Sequence, residues 1–294
     1  MRICVIANPA ARGVRRWRQH LEGRVAASGT VQWTRVAGEG RVLAAQAVEE
    51  GVEVIVAAGG DGTVHEVLNG IGEVPDGFER VRLGVLPMGT ANVWARELGL
   101  PRSGLRAWDR VVAGRERRWD LGWTEWDGPG GRQRRYFVQM GGAGLDARAI
   151  ERVNPQWKAR LGPWAYVWAG WRAVWAGVDR VRWEGGSACL EGGLVLVGNG
   201  CLYGGRFVLF PEARPDDGVL DVCVFPRVTP WRVVLCGPWL LLRGRVPEWM
   251  VVRRRATGFR LAAEAPVPFE LDGEWVGRTP VEFGVIPRGL RVAV

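Results

Sequence analysis

The stretch VIVAAGGDGTVHEVLNG, from Val54 to Gly70, reads as a buried strand, a glycine turn and the start of a helix. The run VEVIVAAGG is continuously apolar, as expected of a central parallel strand covered on both faces. A glycine turn before a helix favours an anion, because the helix N-terminus carries partial positive charge and unpaired N–H groups. Asp61 lies in this turn, and a carboxylate is an unexpected group beside an anion.

Strand and helix patterns alternate around this stretch over the first 124 residues. Such alternation is typical of a doubly wound α/β domain, in which ligands bind beyond the carboxyl ends of the strands. The predicted strands are residues 2–8, 30–36, 52–60 and 82–90. The predicted helices end at about Val25, cover 40–51, begin at about Thr63 and cover 91–99.

The pattern changes after about residue 125, where a charged, turn-rich connection is followed by strand-like runs. We expect a mostly antiparallel β-sandwich domain, interrupted by helices near 157–178 and 229–243. The fold class predicted is therefore α/β plus β, in two domains. The strand-like runs are residues 135–141, 187–199, 218–226, 258–263, 267–274 and 278–287.

Charge and composition exclude some classes and leave others open. The formal net charge is +9, and Lys158 is the only lysine, so arginine supplies the positive charge. This bias reflects either codon composition or attraction to an anionic surface such as membrane lipid. No nucleic-acid recognition motif accompanies the charge, so we expect no nucleic-acid partner. Five cysteines without paired spacing and two histidines argue against a zinc site and for a reducing compartment.

Membrane contact is expected to be peripheral. No run of about 18 apolar residues occurs, and the nearest, TPWRVVLCGPWLLLRG, is interrupted by Arg232 and Pro238. Tryptophans recur at helical spacing between 157 and 183, with arginines nearby. That segment is either a core helix or an interfacial helix at the lipid headgroups. These tryptophans are Trp164, Trp168, Trp171 and Trp175.

The turn AAGGDGT has the features of a phosphate site without the lysine and spacing of a Walker A loop. Gly59 and Gly60 remove Cβ atoms from the backbone, and the N–H groups of 62–64 open the helix. A carboxylate about 4 Å from a phosphate charge costs roughly 4 kcal/mol at an effective dielectric near 20. Asp61 therefore binds a hydroxyl, faces a bridging metal ion, or caps a helix.

A second glycine turn, LPMGTAN, opens the next helix with Gly89, Thr90 and Asn92. Glycine turns on neighbouring strands can hold one nucleotide between them. The amide of Asn92 can bind a hydroxyl or a phosphate, or it is an ordinary residue of the first helical turn.

These motifs, taken in order, resemble the diacylglycerol kinase catalytic domain of bacterial lipid kinases, which are related to sphingosine and ceramide kinases. GGDGT alone is shared with NAD kinases, so the later motifs carry the distinction. The resemblance covers essentially the whole chain, from Asn8 to the final IPRGLRVAV. Its motifs are GGDGTVHEVLNG (59–70), LGVLPMGTAN (83–92), YFVQMGGAGLDARAI (136–150), LGPWAYVWAGWRAV (161–174), GNGCLYGGRFVLFPEARPDDGVLDV (198–222) and FELDGEW (269–275).

The resemblance implies ATP in a cleft between two domains, with the last strand returning to the first domain. The domains are then 1–124 plus 285–294 for ATP and 125–284 for the lipid substrate. The glycine turn would hold the ATP phosphates, and Asp61 would act in catalysis through Mg²⁺. Beside Gly89 and Asn92, the implied nucleotide residues are Asn8, Thr34, Gly59, Gly60, Asp61, Gly62, Thr63, Val64, His65 and Thr90.

Glu274 matches the proton acceptor of the family's D-G-E motif. Phosphoryl transfer to a hydroxyl needs a base near the nucleophile. By itself, LDGEW also reads as a simple hairpin turn. The resemblance further implies a structural Mg²⁺ bound by Asp217 and the backbone carbonyls of Arg214 and Val219.

One departure from the family pattern bears on function. Val93 stands where relatives carry an aspartate that belongs to the Mg²⁺ network. The leading hypothesis is an ATP-dependent lipid kinase at the cytoplasmic membrane face, acting on a diacylglycerol-like or long-chain lipid. The alternatives are a catalytically weakened nucleotide- or lipid-binding regulator and an NAD kinase. The oligomeric state stays open, and a homodimer is compatible with the sequence.

Overall fold

The computed structural model describes residues 2–152, 179–205 and 207–294. The predicted aromatic helix at 157–178 lies outside the described residues. The chain divides into two compact units. The α/β unit comprises Met1–Leu121, Tyr136–Val138 and Ile286–Val294, and the β unit comprises Gly122–Arg135 and Gln139–Val285. The predicted fold class, α/β plus β, is confirmed.

The α/β unit is built on a parallel sheet. Its strands follow the order β2-β1-β3-β4, and the last strand of the chain adds to β4 in parallel through Val292 and Leu83. Each strand is followed by a helical connection, as the sequence pattern predicts. The elements are β1 (Ile3–Ala7), α1 (Arg12–Val25), β2 (Gly29–Trp33), α2 (Glu39–Glu49), β3 (Val54–Gly59), α3 (Asp61–Ile71), α4 (Gly77–Arg80), β4 (Arg82–Pro87), α5 (Val93–Glu97) and α6 (Gly104–Val112).

Strand β3 is buried along its whole length because helices cover both faces of the sheet. Ile55 and Ala57 pack in a cluster with side chains of α2 and α3. Val54, Val56 and Ala58 pack in a second cluster with side chains of α1 and α6. This two-sided burial explains the unbroken apolar run in the sequence. The carboxyl end of β3 lies at the C-terminal edge of the parallel strands, where the glycine turn follows.

The rest of the chain is mostly antiparallel strand. Strands β5, β6 and β18 contribute residues to both units. The elements are β5 (Glu116–Gly128), β6 (Gly131–Phe137), β7 (Met140–Gly144), α7 (Leu145–Arg152), β8 (Val181–Gly185), β9 (Ala188–Gly192), β10 (Leu194–Gly198), β11 (Leu202–Tyr203), β12 (Phe207–Val208), β13 (Leu220–Phe225), α8 (Pro230–Arg243), β14 (Val252–Ala256), β15 (Gly258–Ala262), β16 (Pro268–Leu271), β17 (Glu274–Arg278) and β18 (Val281–Ala293).

Two sheets face each other within the β unit. One has the order β14-β13-β10-β7-β16-β17, and the other contains β18-β15-β8-β9. Aromatic rings fill the space between them: Phe269 of the first sheet meets Phe283 of the second edge to face, with ring centroids 6.5 Å apart. Phe283 also stacks on Phe259, at 5.4 Å. Among the described helices, none combines the length and apolar character that crossing a membrane requires.

Candidate active site

The two glycine turns of the α/β unit lie in direct backbone contact. A Cβ added to Gly89 would come within 2.4 Å of the Gly60 Cα, and one added to Gly59 would come within 2.3 Å of the Thr63 Oγ1. A side chain at Gly89 would therefore push the two turns apart, and one at Gly59 would displace Thr63 within its own turn. The structure brings together the turns after β3 and β4, which the sequence placed at neighbouring strand ends.

The amide groups at the start of α3 bear on the predicted anion site. Gly60 is the extended N-cap residue, and its carbonyl accepts the N–H groups of Thr63 and Val64, at 3.0 and 3.2 Å. Those two amides therefore donate to a carbonyl within the helix, and their role as anion donors stays a prediction. Helix geometry leaves the amide of Gly62 for an anion at this N-terminus.

Asp61 contacts the turn after β4. Its Oδ1 accepts the backbone N–H of Val93 at 2.7 Å, across 32 residues of sequence. Val93 is the first residue of α5, so Asp61 caps the start of that helix. The Val93 backbone therefore lies beside the Asp61 carboxylate.

Polar side chains brace both turns. The Asn92 Oδ1 accepts the Gly89 N–H at 3.0 Å, and the Asn92 Nδ2 donates to the Gly89 carbonyl at 2.9 Å. The Asn8 Nδ2 lies 3.4 Å from the Thr63 Oγ1. Asn92 therefore holds the shape of its turn, and Asn8 joins the end of β1 to the start of α3.

The remaining predicted nucleotide residues differ in exposure. Thr34 follows β2, is buried, and donates its N–H to the Ala7 carbonyl at 3.0 Å. Thr90 is exposed beside Gly89. His65 is buried, with its Nε2 3.4 Å from the Nδ2 of Asn69. These residues follow the carboxyl ends of β1 to β4, at the edge where ligands of such sheets bind.

Asn69 is a structural residue that the sequence reading missed. It is buried on α3, and its amide exchanges hydrogen bonds with the backbone of Tyr136, at 3.0 Å to the carbonyl and 2.8 Å from the N–H. It thereby joins α3 to the 136–138 segment. A polar residue on the apolar face of a helix was the available signal.

The D-G-E motif forms the turn of the β16–β17 hairpin, in which Leu271 pairs with Glu274. The Asp272 Oδ1 accepts the N–H groups of Gln139 and Met140, at 2.9 and 3.0 Å, and thus fastens the turn to β7. Asp272 and Gly273 both have positive φ, of 51° and 85°. Glu274 is half-buried and begins β17.

Two acidic residues near this hairpin, Glu270 and Asp146, have no role in the sequence-based predictions. Glu270 is fully buried, and its Oε2 accepts the Gly273 N–H at 2.8 Å. Burial raises the pKa of Glu270 well above its usual value, and the nearby Asp146 charge raises it further. Burial also raises the pKa of Asp146 to about 6, opposed by a hydrogen bond from Tyr203. Protons are therefore held here near neutral pH.

The proposed structural metal loop contains a guanidinium group. Asp217 and Arg255 form an ion pair, and the Arg255 Nε lies 3.6 Å from the Asp221 Oδ2. The Asp217 Oδ1 also accepts the Val219 N–H at 3.2 Å. Within the described ranges, no group of three or more His, Cys, Asp or Glu side chains is arranged to hold a metal ion. A cation at Asp217 would share that carboxylate with the Arg255 guanidinium.

Two family models match this chain. The family model "Diacylglycerol kinase catalytic domain" matches residues 2–124, and "YegS C-terminal NAD kinase beta sandwich-like domain" matches residues 140–294. A diacylglycerol kinase of Staphylococcus carnosus (strain TM300) is 29% identical over 256 residues, covering 85% of this chain and 79% of that protein. One of Staphylococcus aureus (strain JH9) is 28% identical over 265 residues, covering 88% and 80%.

A solved structure supports the fold independently. The crystal structure of a diacylglycerol kinase from Bacillus anthracis str. Sterne matches with a TM-score of 0.77 and 23% identity, covering 99% of this chain and 96% of that one. The second family model alone spans more than half of the residues. The chain therefore belongs to the diacylglycerol kinase family of lipid kinases.

Proposed function

We propose that this enzyme transfers the γ-phosphoryl group of ATP to a hydroxyl of a diacylglycerol-like or long-chain lipid. The observation that carries this proposal is the contact of two glycine turns at the start of α3, with the Asp61 carboxylate beside them. Two close backbone turns and a helix N-terminus suit a polyphosphate. Family membership supports the choice of a lipid acceptor.

The nucleotide residues would then divide the work. The Gly62 amide and the α3 N-terminus would bind phosphate oxygens, with Asn8, Thr34 and Thr90 at the surrounding strand ends. Asn92 would keep Gly89 close to Gly60. The donor set of carboxylate and amide oxygens suits Mg²⁺, which Asp61 would hold and which would neutralise phosphate charge when bound.

Glu274 would accept the proton that the lipid hydroxyl loses as its oxygen bonds to phosphorus and ADP leaves. A carboxylate does this when it is held within hydrogen-bond reach of the hydroxyl. The bonds from Asp272 to β7 support this role because they limit the movement of the hairpin.

We also propose a second, structural Mg²⁺ at Asp217, with the carbonyls of Arg214 and Val219 as further ligands. The ion pair of Asp217 with Arg255 opposes it, since a guanidinium already supplies positive charge to that carboxylate.

We further propose that the enzyme acts at the cytoplasmic face of the membrane, as a peripheral protein. The formal net charge of +9 supports attraction to anionic lipid. The substrate class supports it as well, since long-chain diacylglycerols reside in membranes.

The direct test is transfer of label from γ-labelled ATP to lipid in mixed micelles of diacylglycerol, sphingosine and phosphatidylglycerol. We expect labelled lipid with wild type and a loss of about 10²-fold or more in kcat with Glu274→Ala. Glu264→Ala, at an exposed position away from the motifs, is the matched control. Absence of labelled lipid in every micelle, with wild type equal to Glu274→Ala, would overturn the proposal.

Val93 favours a second candidate, a nucleotide- or lipid-binding regulator with weakened catalysis. Its backbone contacts Asp61, yet its side chain supplies no carboxylate to a metal ion. Val93→Asp separates the two functions. A rise of tenfold or more in kcat would identify a weakened enzyme, whereas an unchanged or lower kcat would show that the enzyme works without this carboxylate.

A further inference from the structure

Helix α8 of the β unit has an apolar face that points to solvent. Trp231 is 78% exposed and Leu242 is 84% exposed, both unusually high for large apolar side chains in one helix. At about 100° per residue, the exposed apolar residues fall within an arc of about 140°. We call this set the α8 outer face: Trp231, Val234, Leu235, Trp239 and Leu242.

The opposite side of the same helix is already occupied. Cys236 and Leu240 pack against a buried cluster that includes Leu196, Leu209 and Phe210. The outer face is therefore not needed to seat α8 on the β unit. A helix that is apolar on two sides is normally covered on both.

Arginines border the outer face. Residues 226–247 contain four arginines and no Asp or Glu. The Arg243 guanidinium lies over the Trp239 ring, 5.3 Å from its centroid. The Arg232 guanidinium lies over the ring of Trp249, at 5.6 Å, and Trp249 is itself 61% exposed. The nearest acid along the chain, Glu248, is paired with Arg253.

We propose that the α8 outer face, with Trp249, inserts into the headgroup region of an anionic lipid bilayer. Exposed tryptophan and leucine suit the boundary between headgroups and acyl chains, and arginine suits lipid phosphate. The charge of the border argues for this occupant: a predominantly cationic rim complements an anionic surface and would repel the rim of a second copy. The inference rests on the proposed function, because a lipid kinase must reach a substrate held in the bilayer.

Vesicle binding without ATP tests the face directly. The probes are phosphatidylcholine vesicles with and without phosphatidylglycerol, and the readout is cosedimentation. We expect tighter binding with phosphatidylglycerol, and a loss of at least about tenfold in affinity for Trp231→Asp combined with Leu242→Asp. Arg243→Gln combined with Arg245→Gln should reduce the phosphatidylglycerol effect, whereas the lysine counterparts should retain most of it.

Val42→Asp is the matched control, since Val42 is 53% exposed on α2, outside the β unit. It should bind vesicles as wild type does, and circular dichroism should show all variants folded. Equal vesicle binding by wild type and the Trp231/Leu242 variant would overturn the proposal. So would light scattering that shows a dimer of the wild type which this variant dissociates, because the occupant would then be a second copy.

A water-soluble short-chain diacylglycerol separates docking from catalysis. On this substrate the Trp231/Leu242 variant should keep wild-type activity while losing activity on vesicle substrate. If wild type is inactive on both substrates but binds vesicles, the proposed function is contradicted and the membrane-docking proposal is retained. An equal loss on both substrates by the variant alone would overturn docking as the cause.

Discussion

Asp61 does more at the site than its place in a glycine turn suggests. Its carboxylate caps α5 through the Val93 N–H, at 2.7 Å, and so joins the two helix starts that follow β3 and β4. A metal ion bound here would compensate the negative charge of this carboxylate. In the proposed function, the site chemistry and the local structure would then depend on the same residue.

Substituting Asp61 can separate these two roles. In Asp61→Asn the amide oxygen can still accept the Val93 N–H, so we expect a free energy of unfolding within about 0.5 kcal/mol of the wild-type value. Because the negative charge is removed, we expect kcat to fall at least about 100-fold. In Asp61→Ala the cap is lost as well, which should cost about 1 kcal/mol more in unfolding free energy. Urea denaturation and kinase assays measure the two effects. Undiminished turnover by Asp61→Asn would reduce Asp61 to a helix cap.

A second prediction at the residue scale concerns Arg255 and the effect of Mg²⁺ on thermal stability. Because its guanidinium pairs with Asp217, we expect Mg²⁺ without nucleotide to shift the thermal midpoint of wild type by less than about 1 °C. Arg255→Gln removes the competing charge and should gain a Mg²⁺-dependent rise of a few degrees. Arg260→Gln, on β15, is the control arginine variant. A large Mg²⁺ shift in wild type that Asp217→Asn abolishes would mean that Arg255 does not compete.

At the scale of elements, the β16–β17 hairpin shows how a short turn is held in one position. Asp272 and Glu270 each accept backbone N–H groups with a side-chain oxygen, one bonding toward β7 and the other within the turn. The two acids of the D-G-E motif itself, Asp272 and Glu274, differ in role. Asp272 shapes the turn, and Glu274 is the group whose position that shape sets.

The variant Asp272→Ala tests whether Asp272 holds the hairpin and positions Glu274. Two partly buried N–H groups lose their acceptor, and alanine tolerates a positive φ poorly, so unfolding should cost about 2–4 kcal/mol less. We expect kcat to fall more than KM changes, because Glu274 would lose its orientation. Asp272→Asn, which keeps an acceptor and suits this φ, should recover part of both losses. Wild-type kcat in a stably folded Asp272→Ala would contradict the positioning role.

Two element boundaries differ from the positions that the apolar pattern predicts. The strand predicted at 30–36 ends at Trp33, which pairs with Ala7, the last residue of β1. The helix expected from about Thr63 begins at Asp61, since the carbonyl of extended Gly60 accepts its first hydrogen bonds. Both boundaries depend on hydrogen bonds whose partners the apolar periodicity does not contain.

For the whole molecule, two acids of the β unit with raised pKa values predict an unusual pH dependence. Asp146 has a pKa raised to about 6, and that of Glu270 is raised further above its usual range. Groups with raised pKa bind more protons in the folded state than in the unfolded state, so their contribution to stability falls as pH rises from about 4 through 6 and beyond. The slope is about 1.4 kcal/mol per pH unit for each excess proton.

The variant Asp146→Asn with Glu270→Gln tests this dependence, because it removes the titration and keeps the side-chain shapes. Relative to wild type it should gain stability steadily between pH 4 and pH 7 in urea denaturation. Glu264→Gln, an exposed control, should show a constant difference from wild type. A difference between the double variant and wild type that does not change with pH would contradict the elevated pKa values.

The sequence by itself determined the fold class, the two-part organisation and the family, because these depend on periodic apolar patterns and on motifs local in the chain. It also indicated the glycine turns and the D-G-E hairpin. The tertiary structure alone decided which atoms meet: Asp61 with Val93, Asp217 with Arg255, and Glu270 near Asp146. Each of these pairs is distant in sequence, and its effect depends on burial and on hydrogen-bond distance. Those quantities exist only once the strands have brought the residues together.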